Sequence, residues 1–126
     1  MNIVFDIYKY SRTGSDDFVF SSAIYKAELP KEINEADSRD LWFFLATLIS
    51  GGALKFIVDM KYCELIHRSG IDVLFKATGL ARGNNGELIL AGASDSLKDI
   101  FSGIHPENYI KYLDSEEEAV KFFRSN

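Results

Sequence analysis

Lys55-Phe56-Ile57-Val58-Asp59, then Met60-Lys61-Tyr62-Cys63-Glu64-Leu65-Ile66, then His67-Arg68-Ser69-Gly70, then a helical pattern closing at Arg82-Gly83-Asn84-Asn85-Gly86, is the stretch that decides the fold. Phe56, Ile57 and Val58 are apolar without polar alternation, which suits a strand covered on both faces. The intervening polar residues read as a loop. Ile71, Leu74, Phe75, Thr78 and Ala81 then recur at helical spacing, so a helix is expected from Ser69 to near Arg82. Asn85-Gly86 turns the chain into Glu87 to Ala91, a second continuous apolar strand. Two such strands bracketing a helix make a βαβ unit, with parallel pairing and a right-handed crossover.

Toward the N-terminus the pattern changes. From Ile3 to Tyr10 residues alternate, with Ile3, Phe5 and Ile7 on one side, which suits a half-buried strand. Ser11 to Asp17 supplies Gly14 and short polar side chains for a turn, so Phe18 to Ala27 is expected to return as the second arm of a hairpin. Pro30 lacks a donor and ends that pairing. A helix should follow, capped by Asp37 or Ser38 and stopped at Ser50-Gly51-Gly52. Leu41, Phe44, Leu45 and Leu48 form its core stripe. Trp42, Phe43, Ala46 and Ile49 make the rest of the circumference apolar as well. That surplus is satisfied by a neighbouring part of the domain, or by another protein or a second copy of this chain docking through aromatic anchors.

Beyond Ala91, Ser94 or Asp95 can cap a short helix carrying Leu97, Ile100, Phe101 and Ile104, interrupted by Gly103. His105-Pro106 forces an extended exit, and Tyr109 to Leu113 reads as the last strand. Ser115 with Glu118 forms a capping box before Ala119, Val120, Phe122 and Phe123.

The whole succession of elements from Ala27 to Phe123 resembles a STAS domain, the fold of bacterial anti-sigma factor antagonists. That family carries an Asp-Ser-Ser/Thr-Gly motif where the helix opens after the strand. Here His67 stands at the Asp, Arg68 at the serine that a partner kinase phosphorylates, Ser69 at the second hydroxyl residue and Gly70 at the Gly. Ala27-Glu28-Leu29-Pro30 is similar to the family's Gly-Glu-Leu/Ile-Asp corner, without the final Asp. The resemblance implies a single α/β domain over residues 1–126, with a mixed sheet, an N-terminal antiparallel hairpin, mainly parallel remaining strands and about four helices. It implies a non-enzymatic binding role in partner switching, against an anti-sigma factor or related ATPase-type kinase, in which the motif is degenerate. Ser69 is then the remaining candidate phosphoacceptor, weakened by the loss of the Asp. The resemblance places a partner surface around His67, Arg68, Ser69, Gly70, Asp72, Val73 and Lys76, and Trp42 joins it as an exposed aromatic. A small STAS subunit acting on the ATPase of a lipid-transport ABC system is the alternative, and a nucleotide-binding sensor is a third reading.

Composition narrows the classes. The chain has 126 residues, 14 Lys and Arg against 19 Asp and Glu, and a net charge of -5, so clustered cations for nucleic-acid phosphates are lacking. One cysteine, Cys63, excludes an internal disulfide, and with no basic-then-apolar leader the expected compartment is a reducing cytoplasm. The longest apolar run, Leu41 to Ile49, is too short for a membrane span. Cys63 and His67 are four residues apart but show no orienting group, and Cys63 reads as a small buried apolar residue. Cys63, His67 and His105 lack further ligands at metal-binding spacing, so neither metal nor cofactor is expected. Gly79, Gly83 and Gly86 lack the Lys-Ser/Thr of a phosphate loop and follow a helix instead of opening one.

Ser69 can cap the helix, with Asp72 in its first turn suiting the dipole. Arg68 puts positive charge at that end, which is unfavourable unless it reaches water or finds an anion. Asp72, Lys76, Gly79 and Gly83 form a solvent stripe, flanked by an apolar stripe of Val73, Ala77 and Leu80 that faces a neighbouring helix or a partner.

Overall fold

In the computed structural model, residues 3–8, 22–105 and 109–125 are described. The strands are β1 (Val4–Tyr8), β2 (Ile24–Glu28), β3 (Glu32–Ile33), β4 (Lys55–Asp59), β5 (Leu65–Ile66), β6 (Glu87–Ala91) and β7 (Lys111–Leu113). The helices are α1 (Glu35–Ser50), α2 (Arg68–Gly83), α3 (Asp95–Ile104) and α4 (Glu116–Ser125). Five strands form one sheet in the order β1-β2-β4-β6-β7. β1 pairs antiparallel with β2, and every other neighbour is parallel. The mixed α/β architecture is therefore the expected one, hairpin included. The Ser11 to Asp17 turn, the start of its second arm and Pro106 lie outside the described residues.

The apolar runs become central strands because both faces are covered. Phe56, Val58, Leu88 and Leu90 point into a core closed by Leu41 and Leu45 of α1, Ile71 and Leu74 of α2, and Leu97 and Phe101 of α3. Ile57, Ile89 and Ala91 point the other way, onto Ala119 and Phe123 of α4. Alternate residues of one strand thus serve two cores, which leaves no polar residue at the middle three positions of either strand. β1 is an edge strand, and there the alternation is looser: Ile3 is buried while Val4 and Ile7 are exposed.

Several boundaries differ from the sequence expectation. α1 begins at Glu35, not at Asp37 or Ser38, because Asn34 caps it: Asn34 Oδ1 accepts the Asp37 N–H at 2.8 Å, and Asp37 Oδ2 accepts the Asn34 N–H at 3.1 Å. Ser38 is a buried residue of the first turn, and the buried stripe runs Ser38, Leu41, Leu45, Ile49, with Phe44 and Leu48 at its flank. Gly103 lies inside α3 without breaking it. Ser115 accepts the Glu118 N–H at 3.2 Å, but Glu118 Oε2 takes the N–H of Asp114, so only half of the expected box forms.

The segment between β4 and α2 is more than a loop. β5 pairs in parallel with β3, and the ladder is extended by Glu64 N–H to Lys31 O (2.8 Å) and His67 N–H to Ile33 O (2.8 Å). β3 runs directly into α1 and β5 into α2. Two parallel strands in register therefore start two helices side by side. This short ladder positions the site below.

Candidate protein-binding site

α2 begins one residue earlier than the sequence pattern suggested, and its cap is His67, not Ser69. His67 is extended (φ -62°, ψ 149°), and its Nδ1 accepts the Ser69 N–H at 3.1 Å. Nδ1 is therefore the unprotonated ring nitrogen, and in the neutral ring the proton sits on Nε2. Ser69 Oγ lies 2.7 Å from the same Nδ1 and 3.0 Å from Ser38 Oγ, and Ser38 Oγ reaches Asn34 O at 2.9 Å. The first turns of the two helices are thus joined by hydroxyls.

Arg68 finds the anion it needs. Its Nε lies 3.7 Å from Asp72 Oδ1 one turn along α2, and the same carboxylate oxygen meets His105 Nε2 at 2.9 Å. Gly70 is different from its neighbours, being buried: a Cβ there would stand 2.8 Å from Ile66 Cγ1 and 3.1 Å from Ser38 Oγ. Its role is close packing of α2 onto β5 and α1, so among the expected contact residues it is the one withdrawn from the surface.

Between α1 and α2 runs a groove of about 350 Å³. Trp42, Ser69, Asp72, Val73 and Lys76 line it, so five of the sequence-level candidates converge there. His67 and Arg68 are exposed beside them on the first turn of α2. Trp42 is half-buried, and Lys76 Nζ sits 4.3 Å from the centre of its ring, a cation held over an aromatic face. Glu35, Ser38 and Arg39 complete the lining. These three were not legible as site residues, because the signal that brings them in is the β3–β5 ladder, whose two-residue strands leave no periodicity. Phe43, expected as part of the same apolar surplus, is the most open aromatic of α1 at 73% exposure and is not part of the groove lining.

Cys63 is buried, its Sγ turned to the Leu65 carbonyl at 3.9 Å, and burial pushes the thiol up to about 11. It is unionised at neutral pH and inert as a nucleophile. Among the described residues no group of three or more His, Cys, Asp or Glu is placed to hold a metal ion, and no helix is long and apolar enough to cross a membrane.

No protein-family model and no curated protein sequence matches the chain. Solved structures do. The anti-sigma factor antagonist SpoIIAA in its unphosphorylated form superposes with a TM-score of 0.73 at 17% identity, covering 98% of this chain and 100% of that one. An anti-sigma-factor antagonist (STAS) domain protein from Planctomyces limnophilus gives 0.67 at 13% identity over 83% of this chain and 93% of its own. The murine anion transporter Slc26a9 gives 0.60 at 17% identity, with 82% of this chain matched to 18% of the transporter. The fold is that of a STAS domain, as the order of elements in the sequence implied.

Proposed function

We propose that this chain is a protein-binding regulatory module of the anti-sigma factor antagonist type, and that it engages its partner through the α1–α2 groove and the exposed first turn of α2. The observation that carries this reading is the convergence of Trp42, Ser69, Asp72, Val73 and Lys76 on one groove, beside exposed His67 and Arg68. A half-buried aromatic with a cation over it, ringed by hydroxyls and paired charges, has the make-up of an interface anchor. The partner that fits the fold's relatives is an anti-sigma factor or related ATPase-type kinase. Arg68 offers it a fixed guanidinium, and Ser69 is the hydroxyl open to modification. SpoIIAA, to which the fold is similar, exists in unphosphorylated and phosphorylated forms. The occurrence of the same fold within an anion transporter favours a second reading, a domain that serves a membrane transport protein.

The test is to purify the chain with its associated protein from the cells that make it, identify that protein, and measure affinity. Trp42→Ala is expected to weaken binding by about 2 kcal/mol, roughly 30-fold. Lys121→Ala, on the opposite side of the sheet, is expected to leave binding unchanged. Equal affinities for all three proteins would remove the groove from the account.

A further inference from the structure

A second cavity, of about 420 Å³, lies between α2 and the residues His105 and Tyr109, which follow α3 and precede β7. Phe75, Gly79 and Arg82 line it at helical spacing, with Lys76 beside them. Gly79 leaves the middle of that stripe bare, since a Cβ placed on it would meet nothing within 4 Å. Lys76 and Arg82 are separated by about 9 Å along the helix axis, so the bare turn lies between two cations.

The charges around the cavity are unequal. Asp72 is shared between Arg68 Nε at 3.7 Å and His105 Nε2 at 2.9 Å, and Glu87 is held by Arg82 Nε at 3.1 Å. The Lys76 ammonium lies 4.3 Å from the centre of the Trp42 ring and meets no carboxylate among the described residues. Arg82 Nη1 donates to Tyr109 O at 2.7 Å, while its Nη2 makes no hydrogen bond among the described residues. Both carboxylates are thus matched, and an ammonium and one edge of a guanidinium are left for an incoming anion. The walls are aromatic. His105 packs on Phe75 with ring centres 4.4 Å apart, and Tyr109, with Arg82 Cζ 5.5 Å from its ring centre, is 75% exposed and so has ring surface to offer. The Thr78 hydroxyl is already given to Leu74 O at 2.8 Å.

From this geometry we infer that the cavity is a binding site for a small planar aromatic carboxylate. Its carboxylate is held by Arg82 Nη2 and the Lys76 ammonium, and its ring lies over Gly79 against Phe75 and Tyr109. Lys76 lines this cavity as well as the α1–α2 groove, and a charge-assisted hydrogen bond draws its ammonium from the Trp42 face, because such a bond outweighs a cation–π contact at an exposed site. The volume falls within the roughly 300 to 1,000 Å³ of small-molecule sites. A polyphosphate fits less well, because Asp72 lines the same cavity and a single flat ring face, not a cluster of cations, dominates its wall. The site shares only Asp72 and Lys76 with the α1–α2 groove, and it needs no protein partner.

The test is an NMR titration of the isotopically labelled chain with naphthoate, with its saturated decahydro analogue and with inorganic phosphate. Saturable shifts at the amides of Thr78, Gly79, Arg82 and Tyr109, with a dissociation constant of about 1 mM or tighter, are expected for naphthoate. The saturated acid carries the same charge without a flat ring, and it should bind at least about 5-fold more weakly. Gly79→Leu fills the bare turn, and at an exposed helical position Leu is the better helix former, so the fold is kept while affinity falls at least about 10-fold. Lys76→Gln, which removes the charge alone, should weaken binding by about 10-fold as well. The inference is overturned if those amides show no saturable shift up to about 10 mM naphthoate. It is equally overturned if Gly79→Leu binds like the wild type, or if the saturated acid or phosphate gives the same shifts at the same concentration.

Discussion

Asp59 ends the central strand as a buried carboxyl at 1% exposure. Its Oδ1 accepts the Lys61 N–H at 3.1 Å, while Oδ2 lies 3.7 Å from Lys61 Nζ and has no hydrogen-bond partner. Burial raises its pKa above the ordinary carboxyl value, the Lys61 amide and ammonium oppose that rise, and Glu116 and Glu28 add to it. A carboxyl raised on folding adds stability at pH below its unfolded pKa and loses it as pH climbs through the folded one. Asp59→Asn, which keeps the Oδ1 acceptor, is therefore expected to be more stable than wild type by about 1 kcal/mol at pH 7, the gap narrowing on acidification. Urea melts at several pH values measure it, and a less stable Asn variant at pH 7 refutes the assignment. Gly86 is constrained by backbone instead: a Cβ there would stand 2.6 Å from Leu54 O. Since the Leu54 carbonyl, just before β4, is held by the Glu87 N–H at 2.8 Å, Gly86→Ala should cost about 2 kcal/mol, a loss that thermal denaturation would detect and whose absence would show that the turn can shift.

At the scale of elements, the five strands of the main sheet, the middles of the helices and the Ser94 cap of α3 were legible, and β3, β5 and the starts of α1 and α2 were not. Phe56-Ile57-Val58 and Leu88-Ile89-Leu90 announce doubly covered strands by their unbroken apolarity, and Ile71, Leu74, Thr78 and Ala81 fix the buried face of α2. Caps depend on where the backbone leaves the preceding strand. Asn34 and His67 cap because β3 and β5 end at Ile33 and Ile66, and two-residue strands are invisible to any periodicity. The consequence for the site was large: with Ser69 read as the cap, its contacts to His67 and Ser38 had no place. Asn34→Ala should cost about 1 kcal/mol by removing the capping box, and it should loosen the Ser38 turn that α1 brings to the groove. Hydrogen exchange would show the first turn of α1 losing protection while β4 and β6 keep theirs. Uniform loss throughout the sheet would mean that the ladder, not the cap, starts the helix.

For the whole molecule, the sheet divides the surface into two unlike sides. α1, α2 and α3 cover one face, and the groove between the first two gathers Trp42, Lys76 and Ser69. Among the described residues, α4 alone covers the other, through Ala119 and Phe123, where Lys26 Nζ meets Glu116 at 2.9 Å. Under the proposed function, a chain with this build should meet its partner from one side only. The direct measurement is a photo-crosslinking residue placed at Arg39 in the groove or at Lys121 on α4, followed by identification of whatever is covalently captured in the producing cells. Crosslinks from Arg39 to a single ATPase-type protein, abolished by Trp42→Ala and absent from Lys121, are the predicted result. Capture of that same protein from Lys121 but not from Arg39 would contradict it.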